Sequence, residues 1–156
     1  MPTKTFSIVA CVLSTMVCLS LPNRAAAVID ELLVYPGSNC VRAAGGTPTF
    51  NSNGWLVNTT ASTMVVQCPM YDNGTNFTGN VWVLDNSTTA NVTCSSNARN
   101  PISGSGTQTK STTGNSSSSM VLSFTGPDIG GTFTFRFYTC TLPPTTAIIS
   151  YRGIAQ

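Results

Sequence analysis

Apolar and polar residues alternate with a period of two along much of the chain, the mark of strands with one buried face. The plainest case is Gly131 to Pro144. Phe133, Phe135 and Phe137 share one face, Thr132, Thr134 and Arg136 share the other, and Pro143-Pro144 end the run because proline cannot donate to a ladder. The run reads as a core strand carrying Cys140. Its apolar phase moves to Tyr138, Cys140 and Leu142, which predicts a β-bulge at Phe137-Tyr138. Thr63 to Met70 places Met64, Val66, Cys68 and Met70 on one face, and Pro69 puts the strand's end or a sheet edge there. Asn80 to Asp85 is apolar on both faces, which predicts a central or covered strand. Ala90, Val92 and Cys94 alternate next and form a hairpin with it around residues 85–89. Met120, Leu122 and Phe124 mark another strand, and Ala147, Ile149 and Tyr151 mark the last. Leu32 to Tyr35 and Trp55 to Asn58 are shorter strands bounded by turn residues. Arg42 to Asn53, rich in Gly, Thr, Pro and Asn, reads as loop. Ser103 to Ser119 is Ser, Gly and Thr of low complexity and reads as a long mobile loop, having no apolar face to bury. The expected fold is all-β, a single antiparallel β-sandwich of about seven to eight strands.

The first residues belong to a different pattern. Lys4 precedes an apolar run from Phe6 to Leu21, and Ala25-Ala26-Ala27 offers a small-x-small cleavage site. Residues 1–27 read as a signal peptide and residues 28–156 as one secreted, disulfide-bonded domain. The apolar run is short for a membrane span, and Pro22, Asn23 and Arg24 come directly after it, so no membrane insertion is expected after cleavage.

Losing the leader removes Lys4, Arg24, Cys11 and Cys18. Five basic and five acidic residues remain, so the domain has no net charge and no electrostatic case for nucleic acid. Four cysteines remain, Cys40, Cys68, Cys94 and Cys140, an even number that reads as two disulfides in an exported chain. Loop-closure entropies for the sequential and nested pairings differ by less than about 1 kcal/mol in total. Locality favours Cys40 with Cys68 and Cys94 with Cys140.

The order of motifs Tyr35-Pro36-Gly37-Ser38-Asn39-Cys40, Val65-Val66-Gln67-Cys68-Pro69, Val81-Trp82-Val83-Leu84-Asp85, Val92-Thr93-Cys94 and Tyr138-Thr139-Cys140-Thr141-Leu142-Pro143 spans nearly the whole domain. It resembles uncharacterised small secreted four-cysteine proteins of Gram-negative, myxobacteria-like bacteria. The resemblance implies one secreted β-domain and no particular activity. The Arg152-Gly153-Ile154-Ala155-Gln156 end departs from the acidic end commoner in that group. Asn58, Asn73, Asn76, Asn86, Asn91 and Asn115 each begin Asn-x-Ser/Thr. In a eukaryotic secreted chain they would predict heavy glycosylation; in a bacterial one, which the resemblance favours, they are what an Asn/Thr-rich surface produces by chance.

Candidate chemistry is sparse. The chain has no histidine, which removes the commonest general base, and no Gly-x-Ser-x-Gly elbow. Asp72, Asp85 and Asp128 each lie beside turn-forming residues, where Asp serves the turn through its own side chain. Asp72-Asn73-Gly74 and Asp85-Asn86-Ser87 lack the spaced carboxylates of a calcium loop. No catalytic residue, metal or cofactor is expected. The domain reads as a non-catalytic structural or interaction module of the periplasm or extracellular space, with another secreted protein or a carbohydrate as partner. The alternative is a carbohydrate-binding module, with Trp55, Tyr71, Trp82 and Tyr138 as aromatic platforms; against it, large aromatics usually go to the core. The leader assignment predicts that N-terminal sequencing of the exported protein starts at Val28; a chain that still starts at Met1 overturns it.

Overall fold

A computed structural model describes residues 33–70, 77–100, 104–125 and 135–155. Eleven strands and one short 3-10 turn, Gly37–Asn39, occur among them. One sheet carries β3 (Pro48–Phe50), β4 (Leu56–Asn58), β11 (Thr146–Ala155), β6 (Phe77–Asp85) and β9 (Ser116–Thr125) in that lateral order, with β1 (Leu33–Pro36) also paired to β11. The other orders β2 (Val41–Gly45), β5 (Met64–Met70), β10 (Phe135–Leu142), β7 (Thr93–Asn100) and β8 (Gly104–Ser111). Every strand pair is antiparallel. The fold is thus the expected sandwich, with more strands than the apolar pattern predicts.

The inner faces meet as expected at β5 and β9. Met64, Val66, Cys68 and Met70 are buried from β5, Leu122 and Phe124 from β9, and Val81 and Val83 from β6. Tyr138 lies at the centre. Its ring centroid is 5.2 Å from Phe124, 6.3 Å from Phe77 and 6.1 Å from Tyr151. The Tyr138 hydroxyl donates to the Arg152 carbonyl of the facing sheet at 2.8 Å. The Tyr151 hydroxyl donates the other way, to the Pro69 carbonyl, at 2.9 Å. Gly79 makes room for this arrangement, since a Cβ there would overlap the Tyr138 hydroxyl.

Both disulfides form as locality suggests, Cys40–Cys68 and Cys94–Cys140. Cys94 and Cys140 are direct cross-strand partners. Cys40 immediately precedes Val41, whose partner is Gln67. Each bridge therefore joins neighbouring strands of the same sheet. Pro69 follows Cys68 on the side where β2 has already ended, so its missing N–H leaves no ladder bond unmade.

Several expectations are corrected. The stretches read as loop contain β2, β3, β8 and the start of β9. β8 pairs residue by residue with β7, from Thr93↔Ser111 to Asn100↔Gly104, and hydroxyls bond across the pair at Thr93–Ser111 and Ser95–Thr109, each 2.8 Å. An edge strand of this kind is held by backbone pairing and hydroxyl ladders, which leave no apolar alternation to read. The hairpin expected around residues 85–89 does not exist: β6 and β7 belong to different sheets. The buried Asp85 shapes the crossover instead, accepting from the Ser87 and Val92 amides at 3.2 Å each and from the Thr112 hydroxyl.

The organising strand β10 is also turned over relative to expectation. Its register with β5 and β7 is unbroken, so the bulge at Phe137-Tyr138 is absent. Even residues Arg136, Tyr138, Cys140 and Leu142 all face inward. Phe135 is 54% exposed and Phe137 half-buried, their rings stacked on the outer face at 6.2 Å; Phe133 lies outside the described residues. The disulfide and Tyr138 set which face looks in, and Arg136 follows by parity, with its guanidinium 4.7 Å from the Phe77 ring centroid. The bulge occurs instead in β11, where Ile148 opposes Val83 and Ser150 opposes Trp82. As a result Ile148 and Tyr151 are buried while Ile149 faces out, against the expected Ala147, Ile149, Tyr151 face.

Asn58 is fully buried. Its amide nitrogen donates to the carbonyls of Ser62, Leu142 and Pro143 at 2.9, 2.8 and 3.1 Å, so this Asn-x-Thr site holds the end of β4 against the end of β10. Asn86, Asn91 and Asn115 are exposed.

The burial of Leu142 and exposure of Phe135 predict opposite costs. Leu142→Ala should lose about 2–5 kcal/mol in urea unfolding. Phe135→Ser should lose no more than about 1 kcal/mol. Equal losses would contradict the inward face assigned to β10.

Candidate functional site

The outer face of the first sheet carries an open groove of about 400 Å³. Its lining crosses four neighbouring strands. Trp55 stands at one end, beside β4; Ile149 and Ser150 come next on β11, then Trp82 and Leu84 on β6; Ser117 and Ser119 of β9 close the other end.

Local sequence explains each position. Asn51 caps the turn before β4: its side-chain oxygen accepts from the amides of Asn53 and Trp55 at 3.0 Å each, and Gly54 supplies a φ of +76°, a conformation glycine adopts without strain. That turn delivers Trp55 to the sheet face. Trp82 and Leu84 project outward because Val81, Val83 and Asp85 take the inward positions of β6. The β11 bulge turns two consecutive residues, Ile149 and Ser150, to the same side, as bulges re-aim side chains elsewhere. The Ser-rich start of β9 then supplies hydroxyls where the rest of the floor is apolar.

Beyond Trp82 on the same face, Arg152 places its guanidinium carbon 5.3 Å from the indole centroid. With the Asn80 amide oriented to satisfy its neighbours, Asn80 Oδ1 accepts from Arg152 Nε at 3.0 Å and Nη2 at 2.9 Å. Its Nδ2 donates to the Gly79 carbonyl at 3.0 Å and to Ser123 Oγ at 2.9 Å. Among the described residues, no charged side chain lines the groove itself.

Of the four aromatic platforms expected from sequence, the structure brings two together. Trp55 and Trp82 are half-buried and share the groove. Tyr138 is a correction: it is wholly buried with its hydroxyl engaged between the sheets, because the parity of β10 points it inward. Tyr71 lies outside the described residues, as do Asp72 and Asp128. Asp85 holds a crossover. Sequence reasoning missed Leu84, Ile149 and Ser150 as groove residues, and the adjacent Ile148-Ile149 pair was the one signal of a broken alternation. It also missed Ser117 and Ser119, hidden in a segment read as mobile.

Two other concavities are present. A polar cleft of about 240 Å³ lies between Ser87–Asn91 and Gly114-Asn115. A more apolar one of about 410 Å³ lies on the second sheet beside Val41, Gln67, Pro69, Phe135 and Phe137. Among the described residues, no three His, Cys, Asp or Glu side chains cluster as metal ligands, and no helix is long and apolar enough to cross a membrane.

The fold is similar to that of the C-terminal family 6 carbohydrate-binding module of LamC, a laminarinase of the marine bacterium Zobellia galactanivorans. That match has a TM-score of 0.51 at 14% identity and covers 80% of this chain and 99% of the module. Weaker matches are TmCBM61 in complex with β-1,4-galactotriose (TM-score 0.46, 8% identity, 80% and 82% covered) and the family 6 module of Cellvibrio mixtus lichenase 5A in complex with cellotriose (TM-score 0.43, 10% identity, 80% and 97% covered). No protein-family model matches the chain, and no curated protein matches it.

Burial raises the pKa of the Tyr138 phenol far above the usual tyrosine value, partly offset by Arg136 and Arg152. Burial and then the neighbouring Tyr35 raise that of Tyr151. A folded-state pKa raised above the unfolded one leaves this stabilisation intact below about pH 10 and removes it as pH climbs further. The melting temperature should therefore fall steeply above about pH 10, with phenolate absorbance from the two tyrosines appearing together with unfolding. Their ionisation in a chain that keeps its native fold would contradict the bridging role.

Proposed function

We propose that this chain is an exported, non-catalytic carbohydrate-binding module that seats a sugar chain across the Trp55–Trp82 groove. One observation carries the reading: both tryptophans, the side chains with most to gain from burial, sit on an exposed sheet face and line one concavity. The C–H faces of a pyranose stack on flat indole rings, and its ring hydroxyls need donors and acceptors of the kind Ser117, Ser119 and Ser150 present. An apolar cleft with a few convergent polar groups is the usual form of a small-ligand site, and neutral lining suits a neutral ring. The likeness to the LamC module supports the architecture for this reading. Export is supported by the leader-like start and by two disulfides that an oxidising compartment maintains.

A second reading, a module that docks another secreted protein, draws on the opposite sheet's surface of exposed Phe135 and Val41 with half-buried Phe137 between them. The two are separated by titrating the purified protein with neutral oligosaccharides and following tryptophan fluorescence. Binding should perturb the emission, and Trp82→Ala or Trp55→Ala should weaken it by about 2 kcal/mol, roughly thirtyfold, while Phe135→Ser leaves it unchanged. A fluorescence titration that keeps its full affinity in each single tryptophan variant, or no response across a broad panel, overturns the groove reading.

A further inference from the structure

We infer that Arg152 makes the groove selective for sugar chains bearing carboxylates, uronate-containing polysaccharides in particular, over their neutral counterparts. The inference rests on the groove reading above and names the class of chain that reading would admit.

Arg152 and Asn80 are cross-strand partners, placed beyond the Ser150–Trp82 pair. Arg152 thus flanks the groove along the strand direction beside Trp82, where a sugar unit that overhangs the indole on that side would meet the guanidinium. The guanidinium is held in place before any ligand arrives. Its Nε and Nη2 bond Asn80 Oδ1, Asn80 is itself fixed by Gly79 and Ser123, and the Trp82 ring supports the cation from one side. Rigid placement lowers the entropy lost when an anion binds.

Among the described residues this charge has no acidic neighbour. Asp85 is the one carboxylate there, and it is buried in hydrogen bonds to Ser87, Val92 and Thr112. Asn80, which holds Arg152, is a neutral amide. The other described cations do not share the face: Arg42 donates to the Gly45 and Gly46 carbonyls, Arg136 is buried, and Arg99 and Lys110 belong to the second sheet. A guanidinium reads a carboxylate through paired N–H donors. A single fixed cation beside an aromatic platform, on a domain with no net charge, therefore gives preference for an anionic sugar without general attraction to polyanions.

The test compares β-1,4-linked hexasaccharides of glucose and of glucuronate, which differ in the oxidation of C6 alone, by titration calorimetry. The glucuronate chain should bind about three- to tenfold more tightly at low salt, and the preference should shrink toward unity at about 1 M salt. Arg152→Gln should erase the preference, read as the ratio of the two affinities, so that any change the lost Trp82 contact causes in both chains cancels. The backbone carbonyl that receives the Tyr138 hydroxyl is retained in that variant, and matched thermal melts confirm its fold. Equal affinities for the two chains, or a preference that persists in Arg152→Gln, overturn this inference and leave the groove reading intact. Failure of both chains to bind, together with a silent neutral panel, overturns both.

Discussion

Tyr138 and Tyr151 stand on opposite sheets, and each hydroxyl bonds a backbone carbonyl of the sheet it faces. A buried hydroxyl without a partner costs about 1–3 kcal/mol, so these two bonds penalise any slide of one layer over the other. The surrounding residues conform to them. Gly79 is bare where the Tyr138 hydroxyl arrives, Phe77 and Phe124 pack against its ring, and Tyr35 stacks on Tyr151 at 5.2 Å. The β11 bulge then becomes a geometric consequence. Ile148 and Tyr151 both have to face the core at an odd separation, which simple alternation forbids, so an extra residue is inserted and Ile149 is expelled to the surface. The groove floor is built from that expelled residue and its neighbour Ser150.

Much of the core was legible in the sequence. The β5 pattern names its buried face without error, because that strand lies between two others and one face is fully covered. The same logic failed at β10. A period of two shows that a strand's faces differ, but not which of them looks inward; Phe135 and Phe137 outweighed Arg136 by hydropathy, while the covalent bond of Cys140 and the hydroxyl of Tyr138 decided the matter. β2 and β8 escaped notice because edge strands are stabilised by pairing to a neighbour, a long-range property that residue composition does not carry.

The site was legible only as residue types. Trp55 and Trp82 stood out as aromatic candidates, yet their convergence depends on the Asn51 turn and on strand order, where β4, β11 and β6 are adjacent although distant in sequence. The serines of β9 look like low-complexity filler when read along the chain. They come to line the groove only once β9 is laid beside β6, with Leu84 opposite Ser119.

The placement of the two sulfur bridges has a mechanical consequence. Both staple strands within the layer that faces away from the groove. Tension applied along that layer meets covalent resistance at two points. Tension applied to the tryptophan-bearing layer meets, among the described residues, hydrogen bonds and packing alone. Among the described residues the molecule is covalently stapled within one layer and not within the other.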